Sequence, residues 1–380
     1  MNKKIQFETP SSIYIHIPFC KSKCPYCDFA SWANKEYLIE KYFNALSLEI
    51  ETKCQSYKNL QSASPIKTLF IGGGTPSLVA PEFYEKLFSV LKKHFTIEKD
   101  AEITLEVNPG TARNDFLSGY KKLGINRISI GIQSFNEKVL ELLGRKHSAQ
   151  DSIEAINKVR ESGFENYSFD FIFSVPGMTS EMWEESILYA LSFEPKHISA
   201  YSLIIEPNTP FEKIYSDQSK LPSDDNASDF YFYLCTIMKQ NDFIHYEVSN
   251  FAKPGFESKH NLNYWYAKEY YAFGVGAHRF LNKTRTCNLR NLELYIEHPN
   301  LETILDFKID HDFEKIMLNS RLNEGINLNL VKKVSTKNEK EISKLIKELS
   351  DSDYIELLDE KIHLTDKGLF VNNEILLKLV

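Results

Sequence analysis

The sequence predicts an α/β protein: a partial (β/α)6 barrel followed by a smaller α+β, winged-helix-like module. Strand-like and helical segments alternate six times, which requires parallel strands joined by right-handed crossovers. Polar or glycine residues recur where these strands end, the edge at which parallel α/β folds build their sites. An open doubly wound sheet would also satisfy the alternation, but the recurring strand-end residues favour the barrel.

The six predicted strands are short segments rich in β-branched and aromatic residues. They cover residues 13–18, 68–74, 102–109, 127–134, 166–175 and 197–206. In the first connection Leu38, Tyr42, Leu46 and Ile50 recur every four positions, which indicates an amphipathic helix. Pro81 stands near the start of the second helix, where its missing N–H carries no penalty.

The alternation stops near residue 215. A polar loop is predicted over residues 216–227 and a helix around 230–239. Further on, several helices precede two short strands and a closing helix that starts at Asp366. We therefore expect a tail at 1–12, the barrel at 13–215, a connecting region at 216–304 and the C-terminal module at 305–380.

Composition and charge limit the functions that the chain can have. The formal net charge of the whole chain is −7, which disfavours nucleic-acid binding. Residues 301–380 hold 16 acidic against 12 basic residues, so the winged-helix-like module is not predicted to bind DNA either. No apolar run reaches the roughly 20 residues of a membrane span, and the first residues lack the apolar core of a secretory signal. We expect a cytoplasmic protein, in which clustered cysteines indicate metal binding before disulfides.

Three of the six cysteines form the motif Cys20-Lys-Ser-Lys-Cys24-Pro-Tyr-Cys27. Three thiolates on one loop can hold three irons of a cubane cluster and leave the fourth iron open to a further ligand. The alternative is a zinc site with His16 or Asp28 as the fourth ligand, although zinc more often uses C-x2-C pairs. The other cysteines, Cys54, Cys235 and Cys287, are scattered and predict ordinary thiols.

This C-x3-C-x2-C motif after the first strand resembles the signature of the radical S-adenosylmethionine (SAM) superfamily. The resemblance implies a radical-SAM barrel with a [4Fe–4S] cluster on Cys20, Cys24 and Cys27. It also implies SAM on the open iron and reductive cleavage of SAM to a 5′-deoxyadenosyl radical. The run Gly72 to Pro76 is similar to the superfamily's glycine motif, although a tight turn alone would also explain it.

Further matches narrow the resemblance to the group of coproporphyrinogen dehydrogenase (HemN) and HemW and cover nearly the whole chain. They are YIHIPFC at 14–20, GGGTPS at 72–77, LEVNP at 105–109, GIQSF at 131–135, and Asp170 before Pro176-Gly177. Where the group has Tyr-Gly-Leu-Pro, this chain has Phe-Ser-Val-Pro at 173–176, which affects the local loop geometry. By this resemblance the SAM site is lined by Tyr14, Tyr26, Gly73, Gly74, Thr75, Glu106, Gln133, Arg145 and Asp170.

Two features favour HemW within the group. The dehydrogenases carry a fourth cysteine two positions after the third, where this chain has Phe29, and their N-terminal segment is longer. The resemblance to HemW implies a haem chaperone that delivers haem to respiratory acceptor proteins. The alternative is the dehydrogenase, which decarboxylates coproporphyrinogen III without oxygen; a tRNA-modifying radical-SAM enzyme fits the acidic charge poorly.

The segment His260-Asn261-Leu-Asn-Tyr264-Trp265 is similar to the HNxxYW motif of HemW, a proposed haem-binding element. Imidazole is a common axial ligand of haem iron, and aromatic rings can pack on the macrocycle. A helix start or a packed aromatic cluster would explain the same residues, and His278 is a weaker second candidate. The resemblance also implies an electron donor such as flavodoxin or ferredoxin, and it leaves open transient membrane contact through the acceptors and a homodimer.

Overall fold

The computed structural model describes residues 10–57, 64–307 and 309–380. Most of the predicted tail, residues 1–12, therefore lies outside the described residues. Each of the six predicted strands is present within a few residues of its predicted bounds. In chain order the strands are β1 (Ser12–Ile17), β2 (Phe19–Cys20), β3 (Trp32–Ala33), β4 (Ile66–Gly73), β5 (Ile97–Val107), β6 (Arg127–Gln133), β7 (Asn166–Phe173), β8 (His197–Ser202), β9 (Ile244–Glu247), β10 (Asn250–Ala252), β11 (Tyr271–Phe273), β12 (His278–Leu281), β13 (Thr284–Asn288), β14 (Glu302–Phe307), β15 (Ile326–Asn327), β16 (Ile355–Leu358) and β17 (Lys361–Leu364).

Helices follow most of the strands in the N-terminal part and dominate the C-terminal part. They are α1 (Ile39–Ser56), α2 (Pro81–His94), α3 (Asn114–Lys122), α4 (Glu137–Leu142), α5 (Ala149–Glu161), α6 (Ser180–Leu191), α7 (Pro210–Ile214), α8 (Asp224–Gln240), α9 (Lys259–Trp265), α10 (Leu292–Glu297), α11 (His311–Asn319), α12 (Leu328–Val334), α13 (Glu339–Asp351), α14 (Asp366–Phe370) and α15 (Asn372–Leu379). None of the helices described is long and apolar enough to cross a membrane.

The described residues form two compact units. The first comprises 10–131, 150–167 and 268–307, and the second comprises 132–149, 168–267 and 309–380. In the first unit the strand order is β11-β1-β4-β5-β6, and all four pairings are parallel. The inward residues Ile13, Ile15 and Ile17 of β1 are fully buried, as expected for the central strand of a covered parallel sheet.

Strand β11 extends the predicted set, since it pairs in parallel with β1 from a segment about 258 residues further along the chain. A buried carboxylate on α1 anchors the segment that follows β11. Glu49 Oε2 accepts hydrogen bonds from the Gly274 N–H at 2.8 Å and the Tyr295 hydroxyl at 2.5 Å. Its Oε1 accepts from Asn288 at 2.7 Å and pairs with the Lys53 ammonium at 2.9 Å.

In the second unit β7 and β8 are parallel, and β10 and β9 continue from β8 in antiparallel pairing. The buried Trp183 of α6 donates its indole N–H to the Phe230 carbonyl of α8 at 3.0 Å, which joins these two helices. Helix α8 begins at Asp224, because the Ser223 hydroxyl caps it by accepting the Asn226 N–H. The predicted loop over 216–227 is therefore wrong in its last residues.

The C-terminal module contains the predicted pair of strands, β16 and β17, which are antiparallel, and β15 adds a third strand in the order β15-β17-β16. Asn338 and Glu341 form a capping box at the start of α13. The apolar face of α13, with Ile342 and Ile346, packs in a core that also contains Ile362 of β17. Helices packed on a small antiparallel sheet match the predicted α+β character.

Candidate functional site

The cysteine motif forms a short loop after β1 in the first unit. Cys20 is buried at the end of β2, whereas Cys24 and Cys27 are half-buried, and the Cys27 N–H donates to the Cys24 carbonyl at 3.1 Å in a tight turn. Burial raises the pKa of the Cys20 and Cys27 thiols. A bound cation is therefore needed to hold these groups as thiolates near neutral pH.

The His16 side chain holds the cysteine loop in place by hydrogen bonds, a role that the sequence motif alone does not reveal. Its Nε2 donates to the Ala30 carbonyl at 2.8 Å, and its Nδ1 accepts from the Tyr14 hydroxyl at 3.0 Å. Burial lowers the pKa of His16 to about 4, so the ring is neutral at physiological pH. A neutral ring with both nitrogens satisfied is a rigid support for the segment between β1 and the cysteines.

The residues of the loop fit an iron–sulfur cluster better than a zinc ion. Both candidates for a fourth zinc ligand are engaged elsewhere, since His16 is bonded as described and the Asp28 carboxylate pairs with Arg290 at 2.8 Å. Three cysteine thiols on one loop, without a fourth protein ligand from either of these side chains, suit a cluster with one open iron. Lys23 steadies the same loop by donating to the Phe29 carbonyl at 2.9 Å.

The glycine motif lies against this loop. Gly73 has φ +115°, and a Cβ there would stand 2.4 Å from the His16 ring, so no other residue fits. The Gly73 N–H donates to Glu106 at 2.9 Å, and the Gly74 N–H donates to the Ile17 carbonyl at 2.7 Å. The Thr75 hydroxyl lies 3.6 Å from the Cys20 sulfur. The glycines are thus required for packing, whatever ligand they also contact.

The other first-unit residues assigned to SAM by resemblance lie near the cysteine loop and the glycine motif. Tyr14, Tyr26 and Glu106 are each partly exposed, so they can reach a ligand. Burial raises the pKa of Tyr14, and the Glu106 carboxylate adds to this effect. Tyr14 therefore stays a neutral hydrogen-bond donor at every physiological pH.

Gln133, Arg145 and Asp170 belong to the second unit, where each is partly exposed. Gln133 ends β6 with φ +67°, and Ser174 follows β7 with φ +59°. Left-handed backbone at a residue other than glycine is strained and concentrates at functional sites. Ser174 stands where the resemblance to the HemN and HemW group predicts glycine, and its positive φ strains a residue that carries a side chain.

The His260 motif forms helix α9 of the second unit, capped by Ser258, whose hydroxyl accepts the Asn261 N–H. His260 is only 1% exposed, and its Nε2 lies 2.8 Å from the Tyr264 hydroxyl. Asn261, Tyr264 and Trp265 are partly exposed. In this conformation His260 is packed, and the edge of the motif open to a ligand is formed by the other three residues.

Near this motif lies a buried carboxylate that sequence reasoning missed. Glu247 of β9 is fully buried, and burial raises its pKa to about 7, although the Ser249 N–H, the Trp265 indole and Arg321 act in the opposite direction. The Arg321 guanidinium also lies over the Trp265 ring, 5.7 Å from its centroid. In the sequence Glu247 is one acidic residue in the short segment Ile-His-Tyr-Glu, and nothing in that local pattern indicates its burial.

The chain is similar to curated relatives over nearly its whole length. The "Heme chaperone HemW" of Bacillus subtilis is 34% identical over 96% of this chain and 97% of its own length. The protein of the same name in Lactococcus lactis is 34% identical over 98% of both chains. The chain belongs to the HemW family. The Escherichia coli member of the family is 36% identical over 83% of this chain and 84% of its own.

The two parts of the chain match separate sequence profiles. The profile of the radical SAM superfamily matches residues 14–190, and that of the HemN C-terminal domain matches residues 308–371. Among solved structures, the coproporphyrinogen III oxidase (HemN) of Escherichia coli covers 98% of this chain and 90% of its own, with a TM-score of 0.81 at 22% identity. This likeness confirms the predicted fold, a radical-SAM barrel with a C-terminal module. Membership of the superfamily implies a [4Fe–4S] cluster and SAM.

Proposed function

We propose that this protein is a haem chaperone that binds haem, a [4Fe–4S] cluster and SAM, and passes haem to acceptor proteins. The observation that carries the proposal is the end-to-end similarity to proteins named heme chaperone HemW, which spans both the barrel and the C-terminal module. Phe29, at the position of the dehydrogenases' fourth cysteine, supports the same reading. It is 61% exposed, so a cysteine would have been tolerated there sterically.

Cys20, Cys24 and Cys27 would hold the cluster. When bound, the cluster and SAM supply one-electron reductive chemistry that no amino-acid side chain provides. His16 and Lys23 hold the loop in place through backbone carbonyls, and Thr75 contacts the Cys20 sulfur. A reduced flavodoxin or ferredoxin would donate the electron.

The proposed SAM ligands divide by chemistry. An arginine suits a carboxylate as a bidentate partner, and carboxylates or amides suit amino and hydroxyl groups. The partly exposed Tyr14 and Glu106 meet the requirement for accessible polar groups in the first unit. The complete proposed set is Tyr14, Tyr26, Gly73, Gly74, Thr75, Glu106, Gln133, Arg145 and Asp170.

The cluster proposal is tested by the iron content of anaerobically purified protein. Replacing Cys24 with alanine should abolish cluster iron and its visible absorption, whereas replacing Cys54, a buried thiol of α1, should leave both unchanged. Zinc in place of iron, or iron retained after loss of Cys24, would refute the cluster assignment.

Haem would bind at the motif of α9, through His260, Asn261, Tyr264 and Trp265. Because His260 is buried and hydrogen-bonded to Tyr264, it can become an axial ligand only after that bond breaks and the ring turns outward. Tyr264→Phe removes the bond, whose net worth is about 1 kcal/mol, so haem affinity should rise about fivefold. His260→Ala should lose affinity and change the haem spectrum.

An anaerobic haem titration followed by absorption checks this pair of variants, with the exposed His298→Ala as control. If neither His260→Ala nor Tyr264→Phe differs from the control, the histidine is only a packing residue and haem binds elsewhere.

The dehydrogenase alternative is tested directly. Reconstituted protein given SAM, a reductant and coproporphyrinogen III should form no protoporphyrinogen while still binding haem stoichiometrically. Sustained turnover would replace the chaperone proposal by the enzyme. Transfer of bound haem to a purified respiratory acceptor is the positive counterpart of this experiment.

A further inference from the structure

Three side chains with metal-binding atoms converge in the second unit, apart from the cysteine loop of the first unit. Cys235 projects from α8, His245 from β9, and Asp366 is the first residue of α14. One ligand atom from each lies within 4.8 Å of the other two. The His245 Nδ1 is 3.9 Å from the Cys235 sulfur and 2.8 Å from Asp366 Oδ1.

The geometry differs from that of a nucleophilic triad. In such a triad the histidine contacts the nucleophile through one ring nitrogen and the carboxylate through the other. Here both neighbours face the same nitrogen, Nδ1, and burial raises the pKa of the Cys235 thiol, which opposes an activated nucleophile. Three ligand atoms of these types within 4.8 Å of one another are instead what a metal ion requires.

The spacing is close to that of a tetrahedral ion. Zinc bonds of about 2.0–2.3 Å to nitrogen, oxygen and sulfur place ligand atoms about 3.4–3.6 Å apart. The observed separations of 2.8 and 3.9 Å lie on either side of this range, so shifts of about half an ångström would suffice. A thiolate and a carboxylate also balance the charge of a divalent ion.

The histidine is already held in the orientation that a ligand needs. Its Nε2 lies 3.5 Å from the Val248 carbonyl, the kind of backbone partner that fixes the tautomer of metal-binding histidines. The ring also stacks on Phe251, with centroids 4.2 Å apart and an angle of 17°. With Nε2 turned to the carbonyl, Nδ1 is the nitrogen available to a metal.

The surroundings give the site one closed and one open side. Cys235 is buried, whereas the Asp366 side chain is 50% exposed, so an ion can enter and a water can complete its coordination. Lys239 of α8 is a nearby positive charge that acts against a cation, but the carboxylate and the thiolate outnumber it.

We propose that Cys235, His245 and Asp366 bind a zinc ion, with water in the fourth position, and that this ion ties α8 and β9 to the C-terminal module. On binding, the Cys235 thiol releases its proton to solvent and its sulfur forms the bond to zinc. The site is independent of the cluster and of haem.

The test is a titration with cobalt(II), a visible stand-in for zinc, of the full-length chain in which Cys20, Cys24 and Cys27 are replaced by alanine. One equivalent should bind with the ligand-field bands of a tetrahedral ion and a sulfur-to-cobalt charge-transfer band. Added zinc should displace it. Cys235→Ser should abolish the charge-transfer band. Asp366→Asn should weaken cobalt binding at least tenfold, because replacing even a residue that only hydrogen-bonds to a metal ligand typically costs that much affinity.

The matched control is Cys287→Ser, which removes a half-buried thiol of the first unit. Circular dichroism checks folding, and the exposed Asp366→Asn decides the matter if Cys235→Ser does not fold. If the chain with alanine at positions 20, 24 and 27 is unstable, the same variants are made with these three cysteines retained. The Cys235 and Asp366 variants should then bind one equivalent of cobalt less than the Cys287 control. The proposal would be overturned if the Cys235, Asp366 and Cys287 variants bound cobalt equally. It would also be overturned if the chain with Cys235, His245 and Asp366 intact showed no thiolate-to-cobalt band.

Discussion

Replacing the buried Glu49 with glutamine should destabilise the first unit by about 2–4 kcal/mol, although the two side chains have almost the same shape. The carboxylate lies among four donors, two on each oxygen: Lys53 and Asn288 on Oε1, and Gly274 and Tyr295 on Oε2. A glutamine must turn its NH2 group towards one of these pairs. Neither orientation leaves every donor with an acceptor.

The less costly orientation directs the NH2 group at Gly274 and Tyr295, because the tyrosine hydroxyl can rotate and accept. The Gly274 N–H then has no acceptor, which costs about 1–3 kcal/mol for a buried group. Loss of the negative charge weakens the contact to Lys53 by about a further 1 kcal/mol. Lys53 keeps its second carboxylate partner, Glu302, at 2.9 Å, so the full 3–5 kcal/mol of a broken buried pair is not expected.

Urea unfolding with amide hydrogen exchange at Gly274 measures the effect. Glu51→Gln on the same helix is the control, since Glu51 forms a solvent-exposed pair with Lys93 at 3.4 Å and its replacement should change stability by less than about 0.5 kcal/mol. A Glu49→Gln protein as stable as the Glu51→Gln protein would refute the reasoning about paired donors.

Three further outcomes are expected. Gly73→Ala should lose cluster iron, because its Cβ would collide with His16. Gly124→Ala, which has positive φ but no atom of a described residue within 4 Å of the new Cβ, should retain iron and lose only about 1 kcal/mol of stability. Ser174→Gly should raise the urea midpoint by relieving about 1 kcal/mol of left-handed strain; an unchanged midpoint would contradict this. Glu247 has a folded pKa of about 7 against 4.5 ordinarily, so the folded state binds the extra proton and stability should fall as pH rises from about 4.5 to 7. Unfolding at several pH values should show that Glu247→Gln loses this slope.

The sequence was sufficient for the barrel strands because each is a local segment rich in β-branched and aromatic residues, and helix-period apolar residues follow in the connections. It was insufficient for β11, whose three residues Tyr271–Phe273 carry too short a pattern to identify. What makes that segment a strand is its pairing with β1 and the hydrogen bonds of Glu49, both distant in sequence. The start of α8 was available in principle, since Ser223 and two aspartates form a typical helix start.

In the candidate site, too, some features could be predicted from local sequence and others depend on the fold. The cysteine motif could be recognised directly, because its three cysteines lie within eight residues of sequence. The support by His16 could not, since its partner Ala30 is fourteen residues away and only a fold brings them together. The group of Cys235, His245 and Asp366 is further from prediction still, as the last member is 121 residues from its hydrogen-bond partner. The burial of His260 likewise depends on tertiary packing.

The pairing of β1 with β11 has a consequence for the order in which the protein is made. The cysteine loop and β4, one neighbour of β1, leave the ribosome early, but β11, the other neighbour of β1, follows only after about 250 more residues. At 5–20 residues per second this delay is roughly 10–50 s. During that interval the nascent thiols belong to an unfinished sheet, so iron delivered after translation meets a completed pocket, whereas metal captured earlier would have to remain bound while the chain closes around it.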